Sequence, residues 1–117
     1  MSTKPPSNTI DFSDFLKVDL RIGIITAAKL NPKARKPAFA LTIDFGELGS
    51  RQSSAQLTEN YTVEDLIGKQ IMAVMNFPPK RIAGVKSEIL ILAAVCPEKG
   101  TVLLSPDQSV GLGVRIL

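Results

Sequence analysis

Residues 18–25 read Val18-Asp19-Leu20-Arg21-Ile22-Gly23-Ile24-Ile25. Val18, Leu20, Ile22 and Ile24 alternate with Asp19, Arg21, Gly23 and Ile25, the period of two that a half-buried β-strand imposes. The strand is expected to run on toward Ala28, with Gly23 marking the bend that a small barrel needs at a corner. Pro32 and Pro37 make the loop 29–37 a rigid excursion instead of a tight hairpin. A second strand is expected at 38–45, with Phe39, Leu41, Ile43 and Phe45 on one face. A turn at 46–49 leads to a more polar third strand at 50–55. Thr62-Val63-Glu64-Asp65 then offers an N-cap threonine and an acid at the third helical position, so a short helix is expected there, ending at Gly68.

A fourth strand is expected at 70–77, stopped by Pro78-Pro79. A glycine-containing loop leads into residues 88–95, the most apolar stretch, which that composition places at the centre of the sheet. Five strands with one short helix between the third and the fourth is the connection order of the five-stranded OB barrel. The expected fold class is therefore all-β.

Upstream, Ile10, Phe12, Phe15 and Leu16 mark one face of a short helix over 10–16, with Thr9 as its N-cap. Residues 1–9 are too polar and proline-rich to repay ordering and read as a flexible tail ahead of a single domain at 10–117. Downstream come a strand at 102–104, a Ser105-Pro106-Asp107 turn and a final apolar stretch at 114–117. That stretch would be an unpaired edge on a monomer, so both terminal extensions are expected to cover a partner subunit in a homodimer. The alternative is that they cap their own barrel.

A chain of 117 residues suits one core. With 44% of residues hydrophobic and 21% charged, some apolar surface is expected to remain outside the barrel. The best apolar run, 89–95, is strand-sized, which argues against membrane insertion. The amino terminus carries Lys4 with no apolar stretch behind it, so the expected location is cytoplasmic. Cys96, the sole cysteine, permits no internal disulfide and agrees with a reducing compartment. There is no histidine, which removes the commonest general base and the commonest transition-metal ligand together. No glycine-rich phosphate loop, nucleophile elbow or apolar carboxylate pair is present either. The expectation is a protein without enzymatic activity, cofactor or metal.

The charge is unevenly spread. Acids are missing between Asp19 and Asp44 and again between Asp65 and Glu88, and nine of the fourteen basic residues fall in those two gaps. Seven of the nine lie in the loops 29–37 and 77–87, and in an OB barrel these loops flank one binding face. Clustered lysine and arginine attract phosphates by releasing counterions, and they steer any other polyanion equally well. Base stacking needs exposed rings, and the chain has five Phe, one Tyr and no Trp. Phe39, Phe45 and Phe77 are expected in the core, which leaves Tyr61 as the free ring.

Val18-Asp19-Leu20-Arg21-Ile22-Gly23, Ala34-Arg35-Lys36-Pro37-Ala38, Leu41-Thr42-Ile43-Asp44-Phe45-Gly46, Ser53-Ser54-Ala55-Gln56, Leu66-Ile67-Gly68-Lys69-Gln70 and Asn76-Phe77-Pro78-Pro79 together resemble the CsaA family over about 10–117. CsaA proteins are export-related bacterial chaperones within the wider group of tRNA-binding domains. The resemblance implies an OB-fold homodimer built through both terminal extensions. The expected binding face is drawn from Lys33, Arg35, Lys36, Arg51, Asn76, Lys80, Arg81, Lys86, Ser87 and Glu88. Dedicated tRNA binders of the group carry Ser-Gln where this chain reads Ser87-Glu88. A carboxylate repels phosphate and accepts from peptide N–H groups, so unfolded or precursor polypeptides are the expected clients, with export machinery as a further partner. Glu88 could instead pair with a neighbouring lysine. The second candidate function is free-standing recognition of tRNA.

Overall fold

The computed structural model describes residues 8–117, so most of the tail expected at 1–9 lies outside the described residues. β1 (Leu20–Leu30), β2 (Phe39–Asp44), β3 (Ser50–Ala55), β4 (Gln70–Val74) and β7 (Leu90–Ile91) form one antiparallel sheet in the order β3-β2-β1-β4-β7. It curls into a nearly closed five-stranded barrel with α2 (Val63–Leu66) between β3 and β4, as the OB order requires. Two hairpins complete the fold: β5 (Lys80–Ile82) with β6 (Val85–Ser87), and β8 (Ala93–Cys96) with β9 (Gly100–Leu103).

β1 is the central strand, because its first half pairs with β4 and its second half with β2. The apolar run 88–95, expected at the centre, sits at the sheet's end and splits into two strands. Leu92 is the pivot: its N–H donates to Met72 O in the barrel, and its C=O accepts from Leu104 N. Beyond it Val95 is 82% exposed, so the apolar composition of this run does not signal burial on two faces.

Phe39, Leu41, Ile43 and Phe45 all point into the core beside Ile25, Leu66 and Ile71. The inward side of β1 differs from the expected one. Leu20 and Ile22 are buried but stand outside the central cluster, whereas Gly23 faces it: a Cβ there would lie 2.6 Å from both Ile43 Cγ2 and Phe45 Cε1. The missing side chain makes room for the Phe45 ring, and a ladder irregularity between Ile25 and Ala27 adds to the bending.

Thr62 caps α2 as expected, its hydroxyl accepting from Asp65 N at 3.2 Å while Asp65 Oδ2 accepts from Thr62 N at 2.9 Å. At the amino terminus the helix is shorter than expected. α1 spans Phe12–Leu16 with Asp11, not Thr9, as its N-cap, and Asp14 Oδ2 accepts from Asp11 N at 3.1 Å.

The carboxy-terminal stretch is not an unpaired edge. Ile22 N donates to Val114 O at 3.1 Å and Ile116 N to Leu20 O at 2.9 Å, so this segment pairs with the half of β1 that β2 leaves free. In its backbone, then, the segment caps its own barrel. Arg115 Nη2 donates to Leu16 O at 2.7 Å, which brings both termini onto one face.

Candidate functional site

The barrel closes through one backbone bond and one side-chain bond instead of a ladder. Glu88 N donates to Gln52 O at 2.9 Å, and Glu88 Oε1 accepts from Gln52 N at 3.2 Å, which joins β3 to the segment entering β7. Among the described residues Glu88 therefore pairs with backbone and not with a lysine. Next to it Ser87 is buried, its Oγ 3.4 Å from Ser53 Oγ and 3.4 Å from Ser54 N. These serines form the polar floor of an open groove of about 660 Å³ lying along the seam between β3 and β7. Its walls are mostly apolar, with Leu57 and Ala55 on one side, Ile89 and Ile91 on the other, and Phe77 with Pro78-Pro79 at the lip.

The two basic loops meet. Asn31 Nδ2 donates to Ala83 O at 3.1 Å, and the Lys33 side chain lies against Gly84. Ala83 and Gly84 are the central residues of a two-residue hairpin, with φ of 48° and 84°. Positive φ at both central positions is the signature of a type I′ turn, for which Ala is a poor first residue. That mismatch is why the sequence did not betray the β5–β6 hairpin. Ala83's carbonyl anchors the neighbouring loop. Lys33, Arg35 and Lys36, all exposed, line a basin that shares Ser54, Gln56 and Ile82 with the seam groove. Apolar seam and cationic basin thus adjoin and share a wall.

Of the ten sequence candidates, Lys80, Ser87 and Glu88 line the seam and Lys33, Arg35 and Lys36 the basin. Arg81 and Lys86 are exposed on the hairpin, facing each other in register. Two candidates are occupied elsewhere. Asn76 Oδ1 accepts from Asp19 N at 2.9 Å and its Nδ2 donates to Lys17 O at 2.6 Å, a clamp on the α1–β1 junction. Arg51 Nη1 donates to Leu48 O at 2.8 Å and tethers the turn before β3.

Phe39 and Phe45 lie in the core as expected, but the expectations for Tyr61 and Phe77 are reversed. Tyr61 is half-buried against the core, its hydroxyl accepting from Leu103 N at 2.9 Å and Lys69 Nζ standing 5.8 Å from the ring centre. Phe77, expected in the core, is 50% exposed at the groove. β4 ends at Val74, three residues early, and Phe77 follows Asn76 out of the sheet. The Pro78-Pro79 pair was the available signal, since proline forces the chain off a ladder and the residue before it out of helix. Among the described residues no cluster of three or more His, Cys, Asp or Glu could hold a metal, and no helix is long and apolar enough to cross a membrane.

An OB barrel with a groove beside two basic loops places the chain in the class of OB-fold domains. Residues 20–115 match the family described as "Putative tRNA binding domain", and the chain belongs to that family. The crystal structure of chaperone CsaA from Bacillus anthracis superposes with a TM-score of 0.88 at 54% identity, covering 93% of this chain and 99% of that one. The CsaA chaperone from Picrophilus torridus gives 0.87 at 45% identity, covering 93% of this chain and 100% of that one. Within the tRNA-binding domains, the chain is thereby a member of the CsaA family. Methionine–tRNA ligase of Methanococcoides burtonii is 38% identical over 107 residues, 92% of this chain but only 16% of the ligase. The chain thus spans about a sixth of the curated relatives it matches.

Proposed function

We propose that the protein is a non-enzymatic, CsaA-like chaperone that binds unfolded or precursor polypeptides in the seam groove, as a homodimer. The observation that carries this is the adjacency of an apolar seam, floored by Ser53 and Ser87, to a basin of three exposed cations. Apolar concavities of this size with a few convergent polar groups are the usual form of a binding site. The dimer is supported by apolar side chains left outside on the face where the termini meet: Phe12 is 70% and Leu117 77% exposed. Deleting 111–117 would strip β1 of its own pairing, so the cleaner test is Phe12→Asp with Leu117→Asp. Monomers in light scattering are expected, and an intact dimer overturns that part. Suppression of aggregation of a denatured client at stoichiometric dimer tests the chaperone activity, and no protection at several-fold excess refutes it.

Recognition of tRNA is the second reading, favoured by the convergence of both basic loops on one concavity. Phosphate binding weakens steeply as salt rises, whereas capture of apolar segments hardly changes. Neutralising Lys33, Arg35 and Lys36 together abolishes tRNA binding on this reading, and unchanged affinity removes it.

A further inference from the structure

We infer that Asn60 sets the width of the seam groove: its carboxamide holds the β8–β9 hairpin against the loop that carries Leu57, and so decides how large an apolar side chain the groove takes best. This rests on the peptide-binding reading of the same groove and names a positioning residue for it.

The hairpin is part of the groove. Ala93 and Thr101 line it together with Leu57, Ile89 and Ile91. Yet β8 and β9 form a sheet of their own, with no ladder to the barrel. At the base Leu92 N donates to Met72 O, and Leu103 is buried in the core. Beyond that base, among the described residues, the hydrogen bonds that tie the hairpin down come from side chains of the 57–61 loop. The Tyr61 hydroxyl accepts from Leu103 N at 2.9 Å, while Asn60 Nδ2 donates to Lys99 O at 2.6 Å and to Thr101 O at 2.9 Å. The outer half of the hairpin is thus held by one carboxamide nitrogen that serves two carbonyls.

Asn60 is itself anchored to the groove lining. Its N–H and that of Tyr61 both donate to Leu57 O, at 3.4 and 3.1 Å. A chain of bonds therefore runs from Leu57 through Asn60 to Thr101, joining two lining residues that no ladder connects. The fit is close. Gly100, between the two acceptors, has a φ of 78°, and a Cβ there would strike the Glu59 carboxylate.

Directly paired residues of an antiparallel ladder share a face, as do residues two apart on one strand. Val95 pairs with Thr101 and stands two residues from Ala93, so it carries the groove-lining face on toward the tip. Its 82% exposure leaves that stretch of apolar wall uncovered. A bulky apolar side chain seated in the groove covers it, and a small one does not reach.

The test uses the full chain and a labelled ten-residue Ser/Gly peptide with one central guest, Ala, Leu or Phe. On the parent protein the Phe guest is expected to bind about tenfold tighter than Ala, the worth of burying a large apolar side chain. Asn60→Ala frees the outer hairpin, so that ratio is expected to fall to about two- to threefold, with faster hydrogen exchange confined to residues 93–103. An Asn60 that only supports the fold lowers the melting temperature and leaves the ratio at its parent value, which overturns the inference. Val95→Ser changes an exposed side chain and spares the core. It is expected to weaken the Phe guest about threefold and leave the Ala guest unchanged. Unaltered guest affinities with loss of the dimer assign Val95 to a second copy and overturn its place in the groove. Failure of every guest peptide to bind the parent overturns the peptide-binding reading and the role of Asn60 with it.

Discussion

Alanine in place of Gly23 sets two opposing terms against each other, and their magnitudes decide the sign. The backbone at Gly23 lies outside the positive-φ region, so it accepts an L-residue without strain. On that ground alone Gly23→Ala would stabilise by about 0.4–1 kcal/mol, through lost freedom of the unfolded chain. The new methyl, however, would stand 2.6 Å from Ile43 Cγ2, 2.6 Å from Phe45 Cε1 and 2.8 Å from Phe45 Cδ1. Carbon pairs settle at about 3.5–4.0 Å, so these neighbours must give by roughly an ångström. Ile43 and Phe45 are both 0% exposed, inside a core packed as densely as a crystal, and neither has room to retreat. Overpacking of this kind costs about 1–3 kcal/mol or more. The steric term wins. At about 4–8 °C per kcal/mol for a domain near this size, the variant is expected to melt about 4–15 °C below the parent in a circular-dichroism scan. In a Phe45→Leu background the same change is expected to cost less than half as much, because the ring is the larger obstacle. A variant that melts at or above the parent refutes the placement of the Phe45 ring in the space at Gly23.

Three further changes separate structural from binding roles. Ala83→Asn places a residue that tolerates positive φ in the hairpin turn, and slower hydrogen exchange is expected across Lys80–Ser87; unchanged or faster exchange counts against the strain. Asn76→Ala removes two hydrogen bonds to the α1–β1 junction and is expected to cost about 1–2 kcal/mol with ligand affinity unaltered, whereas an equal loss of affinity would return Asn76 to the groove. The backbone N–H and hydroxyl of Thr62, helped by Lys69, hold the Asp65 carboxyl below the usual carboxylate range. A depressed folded-state pKa stabilises above the unfolded value and stops doing so as pH falls through the folded one. Asp65→Asn should therefore melt below the parent at neutral pH, with the gap closing as pH drops below about 4; a gap independent of pH refutes this.

What was legible in the sequence follows from how each signal arises. β3 and the α2 cap were readable in full, since a polar run bounded by turns and a Thr-x-x-Asp box are local devices. The inward face of β2 was equally plain, because Phe39, Leu41, Ile43 and Phe45 alternate without interruption. β1 was legible as a strand but not in its facing: at Gly23 the inward position carries no side chain, so counting apolar residues selects the wrong side. The meeting of the two basic loops followed from their places in the barrel order, yet the bond that joins them, Asn31 to Ala83, has no sequence signature. Phe77 and Tyr61 exchanged roles for one reason. An aromatic ring reads as apolar mass, and only the surroundings show that Tyr61's hydroxyl has a buried partner while Phe77 sits at a lip.

Glu88 joins fold and function at one atom. Its Oε1 closes the barrel onto Gln52 N, and a glutamine carries an oxygen at the same place, so Glu88→Gln keeps the closure and removes only the charge. The carboxylate charge is then surplus to the barrel and acts on whatever lies in the groove. A unit charge about 7 Å from a phosphate in water is worth roughly 0.6 kcal/mol, about threefold in affinity. Glu88→Gln is therefore expected to raise RNA affinity about threefold at low salt, while a peptide held in the seam by apolar side chains changes less than twofold. Its melting temperature should stay within a few degrees of the parent, because the Gln52 bond survives. Glu88→Ala, which loses the acceptor, should melt lower. If Glu88→Gln melts as low as Glu88→Ala, the charge itself holds the seam shut, and the separation of closure from ligand choice at this residue fails.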